Sequence, residues 1–494
     1  MHNLKVKSKG IEEDLERAII EDEKDKALDL IKILSNVNYK NSNNKSFLQL
    51  AIEKGNLDII KALLNKNVIL EDKKDVTKIY DLALYDSYGL IDILIKKGYR
   101  LEEGVLEDNK YFCFLCYSTN AQEVEKFINH NKNINPVNIK DKYNRNLLTI
   151  ASIGSKKDII EMLINDYKFN INEKNGNEWG SLMYTVKNGN KKILNLLISY
   201  NINLNEKTNL KSTPLMLACK EGHKDIAKIL IDKGANVNDK NDNGFTALMF
   251  SSKNGYTEVV KMLLDNGAKI NDKNNNNYTA LMISSGNNHK EVVEILLERG
   301  ANVNDTDNQS ATSLIKSSYH GHKEIVRILI EKGANLNDAE KDGCTALILA
   351  SFKGHKEIVE LLIERGANVN DRNNNGSTAL MIASQNGNIE VTEKLLKANV
   401  NIYMKDELNK TALIHISEKL KLSKVISKKD KLIEIAYIIV KKMVEDYIQS
   451  FMSLNKSVNT PQDIKDNIHN DINLLYSLQK LPAELFAEII MMLN

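Results

Sequence analysis

Cys113-Phe114-Leu115-Cys116 has the C-x-x-C spacing from which half of many tetrahedral zinc sites and dithiol redox centres are built. No second pair and no nearby His-x-His set completes a four-ligand shell, and the segment around it is apolar. The pair therefore reads as buried structural thiols. His223, His289, His322 and His355 also invite a metal reading, but they recur at a wide, regular interval along the chain. Strung out in this way they cannot converge on one ion, and hydrogen bonding at the start of a helix is the simpler role. Asp and Glu are plentiful at i, i+3 and i+4, the spacing of solvated helix faces. No Gly-x-Ser-x-Gly, Walker loop or His-Glu-x-x-His occurs. The chain reads as a non-enzyme that needs no metal and no cofactor.

The elements that carry these residues repeat. Thr213, Thr246, Thr279, Thr312, Thr345, Thr378 and Thr411 each open a Thr-x-Leu triplet, and every step between them is equal. A period of about 33 residues held without slippage means one supersecondary unit stacked on its own copies. In the copy beginning at Thr345, Leu347, Ile348 and Ala350 share one side of a short helix, and Gly354 with His355 supplies a break. Ile358, Val359, Leu361, Leu362 and Ile363 then form the stripe of a second helix, with Lys356, Glu357, Glu360, Glu364 and Arg365 on the wet side. Gly234, Gly267, Gly300, Gly333 and Gly366 recur where that helix closes, and Asn399 takes the next such place. Asp242-Asn243-Gly244 and Asn375-Gly376 mark tight, hairpin-like fingers between units.

The period, Thr213-Pro214-Leu215, Gly222-His223, Ile358-Val359 with Leu361-Leu362, and Gly366-Ala367-Asn368-Val369-Asn370 together resemble the ankyrin repeat. The match is close from about 213 to 411. It implies an all-α ankyrin-repeat solenoid of about a dozen helix-turn-helix repeats with hairpin-like fingers, followed by a C-terminal helical region, whose function is protein binding. One departure is consistent: the family's His after Thr-Pro-Leu is replaced by Met216, Met249, Met282, Ile315, Ile348 and Met381. Apolar packing in place of that imidazole predicts fewer polar links between repeats.

Upstream the pattern decays. Trp179-Gly180-Ser181-Leu182 lies one period before Thr213, Asn146-Leu147-Leu148 begins an earlier copy, and Ser46-Phe47-Leu48 another. Weaker copies are expected around 11–40, 79–101 and 110–134. The expected organisation is degenerate repeats over 1–145, regular repeats over 146–415, a helical cap or linker over 416–480 and a terminal helix over 481–494.

Across the 494 residues, Lys and Arg number 68 and Asp and Glu 66, a net charge of +2 that provides no basic field for nucleic acid. The polar start, Met1 to Arg17, lacks the apolar core of a secretory signal, and Ile435 to Val440 is too short to span a bilayer. Four cysteines make no disulfide framework. The expectation is a soluble, cytoplasmic and monomeric protein.

In ankyrin-type binding the fingers and first helices line the concave side. Just before each Thr come Ser212, Phe245, Tyr278, Ala311, Cys344 and Ser377, and late in the first helix come Tyr319 and Phe352. Phe245, Tyr278, Tyr319 and Phe352 are thus candidate anchors for a cellular or host protein. Shielding of neighbouring turns is the alternative, and Phe250 reads as packing.

Beyond Thr411 the period fails. Leu432 to Met452 spells a long, nearly all-apolar helix that must be buried, with the open end of the stack as its natural seat. Thr460-Pro461 starts another helix. The closing segment, LPAELFAEIIMMLN, puts Leu485, Phe486, Ile489, Ile490 and Leu493 on one face of a helix too short to stand alone. Leu481-Pro482-Ala483-Glu484-Leu485 followed by Ile489-Ile490 and Leu493 is similar to the opening of an F-box. At the end of ankyrin repeats it resembles the PRANC arrangement of poxvirus host-range proteins, with effectors of similar layout in intracellular bacteria. The resemblance implies docking by Leu481, Pro482, Leu485, Ile489, Ile490 and Leu493 onto the Skp linker of a cullin-type ubiquitin ligase, in the host cytosol for a viral or bacterial effector. The later F-box helices are absent, and a plain capping helix or a scaffold without ligase docking remains the alternative.

Overall fold

The computed structural model describes residues 2–66, 68, 70, 73–86, 88–99, 108–132, 135–398, 400–422 and 426–453. The expectation at Asn399 and all those on 454–494 lie outside the described residues. The chain divides into two compact units, Met1–Asn236 and Val237–Asn494.

Thr345 shows why the repeat folds as it does. Its Oγ1 accepts a hydrogen bond from the Ile348 amide at 3.4 Å and so caps the helix Ala346–Lys353, while the next residue but one, Leu347, is buried. Gly366, after the second helix Lys356–Glu364, takes a left-handed φ of 91° that a side chain would strain. The chain then turns through a finger closed by the single bridge between Arg372 and Thr378. Ile358, Val359, Leu361 and Leu362 are buried on one stripe of the second helix. Full burial of a side chain like Leu362 contributes about 1.5–3 kcal/mol.

The first unit contains helix pairs α1 His2–Ile20 and α2 Lys24–Ile33, α3 Phe47–Lys54 and α4 Leu57–Asn65, α5 Lys73–Asp86 and α6 Tyr88–Lys96, and α7 Asp108–Ser118 and α8 Ala121–His130. It continues with α9 Leu147–Ile153 and α10 Lys157–Asn165, α11 Ser181–Lys187 and α12 Lys191–Ser199, and α13 Pro214–Glu221 and α14 Lys224–Asp232. Helix pairs occupy the stretches where weaker copies are expected, but α1 and α5 begin earlier than expected and run 19 and 14 residues, against 7 or 8 for the regular first helices. Ser46 caps α3 in a capping box with Gln49, and Asn146 caps α9. Gly180, standing where Thr would be, gives α11 no side-chain cap.

The second unit holds α15 Ala247–Lys253 and α16 Thr257–Asp265, α17 Ala280–Gly286 and α18 Lys290–Glu298, and α19 Ser313–His320 and α20 Lys323–Glu331. After them come α21 Ala346–Lys353 and α22 Lys356–Glu364, α23 Ala379–Asn386 and α24 Ile389–Lys397, and α25 Ala412–Leu422 and α26 Ile426–Ser453. Here first helices pack on first helices, α19 on α21 and α21 on α23, and second helices on second, α20 on α22 and α22 on α24. The expected long helix is α26. Its buried Leu432, Ile435, Ala436, Ile439, Val440 and Met443 belong to a face packed on α24 and α25.

Polar links between repeats are abundant, contrary to the expectation drawn from the Met and Ile substitutions. Those side chains are buried, 1–3 % exposed, and the links lie elsewhere. His223, His289, His322 and His355 donate from Nε2 to the carbonyls of Lys187, Lys253, Gly286 and Tyr319 at 2.8–3.1 Å, each bridging 36 residues to the repeat before. They do not bond the start of their own helix, where no side-chain cap forms. The ring comes so close that a β-carbon on Gly321 would lie 2.7 Å from His355 Cε1. A second ladder runs through Asn271, Asn304, Asn337 and Asn370, each side-chain oxygen accepting from the amide 31 residues on at 2.8–2.9 Å.

Candidate partner-binding surface

Each finger is locked by its own sequence. Asn241 Oδ1 accepts from the amides of Asn243 and Phe245 at 3.1 and 2.9 Å, and Gly244 turns the chain with φ of 75°. Neighbouring fingers are tied by main-chain bonds such as Asn275 N to Asn243 O at 3.1 Å and Lys341 N to Gln309 O at 2.8 Å. Residues at the finger base and along the first helices are therefore presented on a rigid support.

Phe245 is half-buried and its ring lies 5.2 Å from Phe250. Trp179 and Tyr184 form the same pair, also at 5.2 Å, two periods earlier. Tyr278 is half-buried with Lys316 Nζ 4.4 Å from its ring centre. Lys316 is held there by Asp307 at 2.6 Å. Burial pushes the Asp307 carboxyl up, but the bonds from Lys316 and from the Ala311 and Gln309 amides outweigh it and hold the group below the usual carboxylate range.

Further along, Tyr319 and Phe352 come together from α19 and α21. Lys353 Nζ lies 4.3 Å from the Tyr319 ring and 5.4 Å from that of Phe352, and His320 stands edge-on to Tyr319 at 5.1 Å. Phe352 is 45 % exposed, a large apolar side chain left in water. His320 is held below its ordinary range, by partial burial first and then by His322, Lys316, Lys353 and His355, all of them cationic or able to become so. Of the four candidate anchors, Tyr319 and Phe352 are thus one cluster, Tyr278 reaches it through Lys316 and His320 on the same helix, and Phe245 pairs with Phe250. Lys316, His320 and Lys353 carry no motif of their own, and nothing in their spacing marked them. Leu210 and Leu408, 64 % and 70 % exposed, occupy the same fingertip position six periods apart and were also not singled out.

Cys113 and Cys116 sit inside α7, 3 % and 0 % exposed. Burial pushes the Cys113 thiol up to about 12 and that of Cys116 well above the ordinary range. These are inert packing thiols. Among the described residues no group of His, Cys, Asp or Glu has a metal-binding arrangement, and no helix is long and apolar enough to cross a membrane. Leu481, Pro482, Leu485, Ile489, Ile490 and Leu493 lie outside the described residues.

A family model described as ankyrin repeats (3 copies) matches residues 182–274, 237–307, 271–340, 301–373, 335–406 and 366–425 in overlapping windows. Among solved structures, the crystal structure of the human ASB11 ankyrin repeat domain is 29% identical with a TM-score of 0.41, and the match covers 44% of this chain and 97% of that one. The curated proteins include no match. Helix pairs in the second unit that recur with the spacing of Thr246, Thr279 and Thr312, each opened by a capping Thr and closed by a finger, are what that family model describes: residues 182–425 are ankyrin repeats, and the described residues take an all-α, ankyrin-repeat solenoid fold.

Proposed function

We propose that the chain captures a protein partner on the surface of α19 and α21, with Tyr319 and Phe352 as apolar anchors, Lys353 as the charged one and the neutral His320 ring beside them. Ankyrin repeats are protein-interaction scaffolds, and the single observation that carries this reading is the exposed Phe352 beside Lys353 and Tyr319. Core formation does not require that exposure, whereas an anchor does. The cations gathered around His320 favour an acidic segment in the partner. Tyr278 with Lys316, and Phe245 with Phe250, extend the contact.

The finer reading is that the chain is a substrate adaptor, in which 416–480 links the repeats to 481–494 and that terminal segment docks a Skp/cullin-type ubiquitin ligase in the cytosol. Its support is the sequence Leu481-Pro482-Ala483-Glu484-Leu485 with Ile489, Ile490 and Leu493. Such an adaptor has no chemistry of its own and acts by raising the local concentration of target beside the ligase. The second reading is a stoichiometric inhibitor or plain scaffold, for which the repeat surface alone suffices. A pull-down from eukaryotic lysate with the full chain and with a form ending at Gln479 separates them. Skp linker and cullin recovered only with the full chain support the adaptor; a repeat-bound partner recovered equally by both, without ligase, supports the scaffold.

A further inference from the structure

Glu206 is 3 % exposed, and no side-chain donor reaches either carboxyl oxygen. It belongs to the finger that follows α12, and it reaches back to the start of α11. That start is where the side-chain cap is missing. A β-carbon on Gly180 would lie 3.1 Å from Glu206 Oε2 and 3.1 Å from the Glu173 carbonyl oxygen, so a Thr of the kind found in the regular repeats would crowd both groups. The carboxyl group occupies the vacant cap position, facing the Met183 amide.

The other repeats show what is unusual. One period on, the residue at this position is Asp239, then Asp272, Asp305, Asp338 and Asp371, one methylene shorter and half-buried. Asp272 and Asp305 pair with Lys240 and Lys273 at 3.5 and 3.0 Å. By the same register Lys174 belongs to Glu206, but its ammonium is turned to Glu178 at 3.1 Å and to the Lys207 carbonyl at 3.0 Å.

We propose that Glu206 is a proton-controlled latch between a finger and the helix pair that the finger closes: protonated, it seats its finger against the start of α11; ionised, it loosens that seat. The charged groups facing it are Lys174, which favours the carboxylate, and Glu178, which opposes it. Burial dominates and pushes the carboxyl up to about 7. A folded-state value above the unfolded one means the stabilisation is complete below the unfolded value and is lost as pH rises through about 7.

Amide exchange of the full chain between pH 5 and pH 8, corrected for intrinsic rates, tests the latch at Thr208 and Lys211 in the finger and Tyr184 in α11. Their protection should fall about tenfold per pH unit up to about 7 and then level off, since opening releases one proton. Glu206→Gln, neutral at every pH, should hold protection flat, and Glu206→Asp, with its carboxyl drawn back toward solvent, should abolish the slope. A native protein with no slope at these amides, or the same slope in both variants, overturns the proposal.

Discussion

Thr345 receives the Ile348 amide on its hydroxyl, so Thr345→Ala leaves that buried donor without an acceptor. The expected loss is about 1 kcal/mol in urea-induced unfolding, within the roughly 0.5–2 kcal/mol range of N-cap deletions. Phe352→Ala should behave in the opposite way, changing stability by less than about 0.5 kcal/mol because the ring is exposed, while weakening partner capture. The thiols give a third check. With Cys113 pushed up to about 12, its thiolate fraction at pH 8 is about a thousandfold below that of an ordinary cysteine, so Cys113 and Cys116 should resist alkylation until the protein is unfolded. Rapid labelling of either in the native protein would contradict the packing role.

At the level of the element, the bridges from one repeat to the next carry the prediction. His355→Ala removes the bond to the Tyr319 carbonyl and should cost about 0.5–1.5 kcal/mol. Gly321→Ala should cost more, because Gly321 has φ of 82° and the added methyl meets the His355 ring; unfolding midpoints of the two variants provide the comparison. Helix starts were legible because Thr, a short apolar run and Gly recur in fixed order. The role of the histidines was not. Whether an imidazole at a helix start bonds its own helix or a carbonyl of the repeat before depends on how closely the neighbouring Gly lets it approach, and spacing along one chain does not contain that distance. The cluster of Tyr319, His320, Phe352 and Lys353 was half legible: the aromatics stood out as variable positions, but Lys353 became a partner of Tyr319 only when stacking placed α21 beside α19.

For the molecule as a whole, the repeat register itself was the most legible feature, because an unbroken period over 213–411 leaves one folding solution. Toward the start, where capping Thr gives way to Ser46, Asn146 and Gly180, helix boundaries shifted, since propensity and tertiary packing set them there more than a fixed motif. The sense that the chain works by binding follows from this frame, whose regular positions form the core and whose free positions bear exposed aromatics and cations. The most direct test is quantitative capture from eukaryotic lysate by the full chain and by a Phe352→Ala, Lys353→Glu variant, with thermal midpoints measured on both. The account predicts equal midpoints and at least a roughly tenfold loss of the specifically bound proteins in the variant, as expected for removing anchors that contribute about 1.4 kcal/mol or more together. Recovery of the same proteins in the same amounts would contradict it.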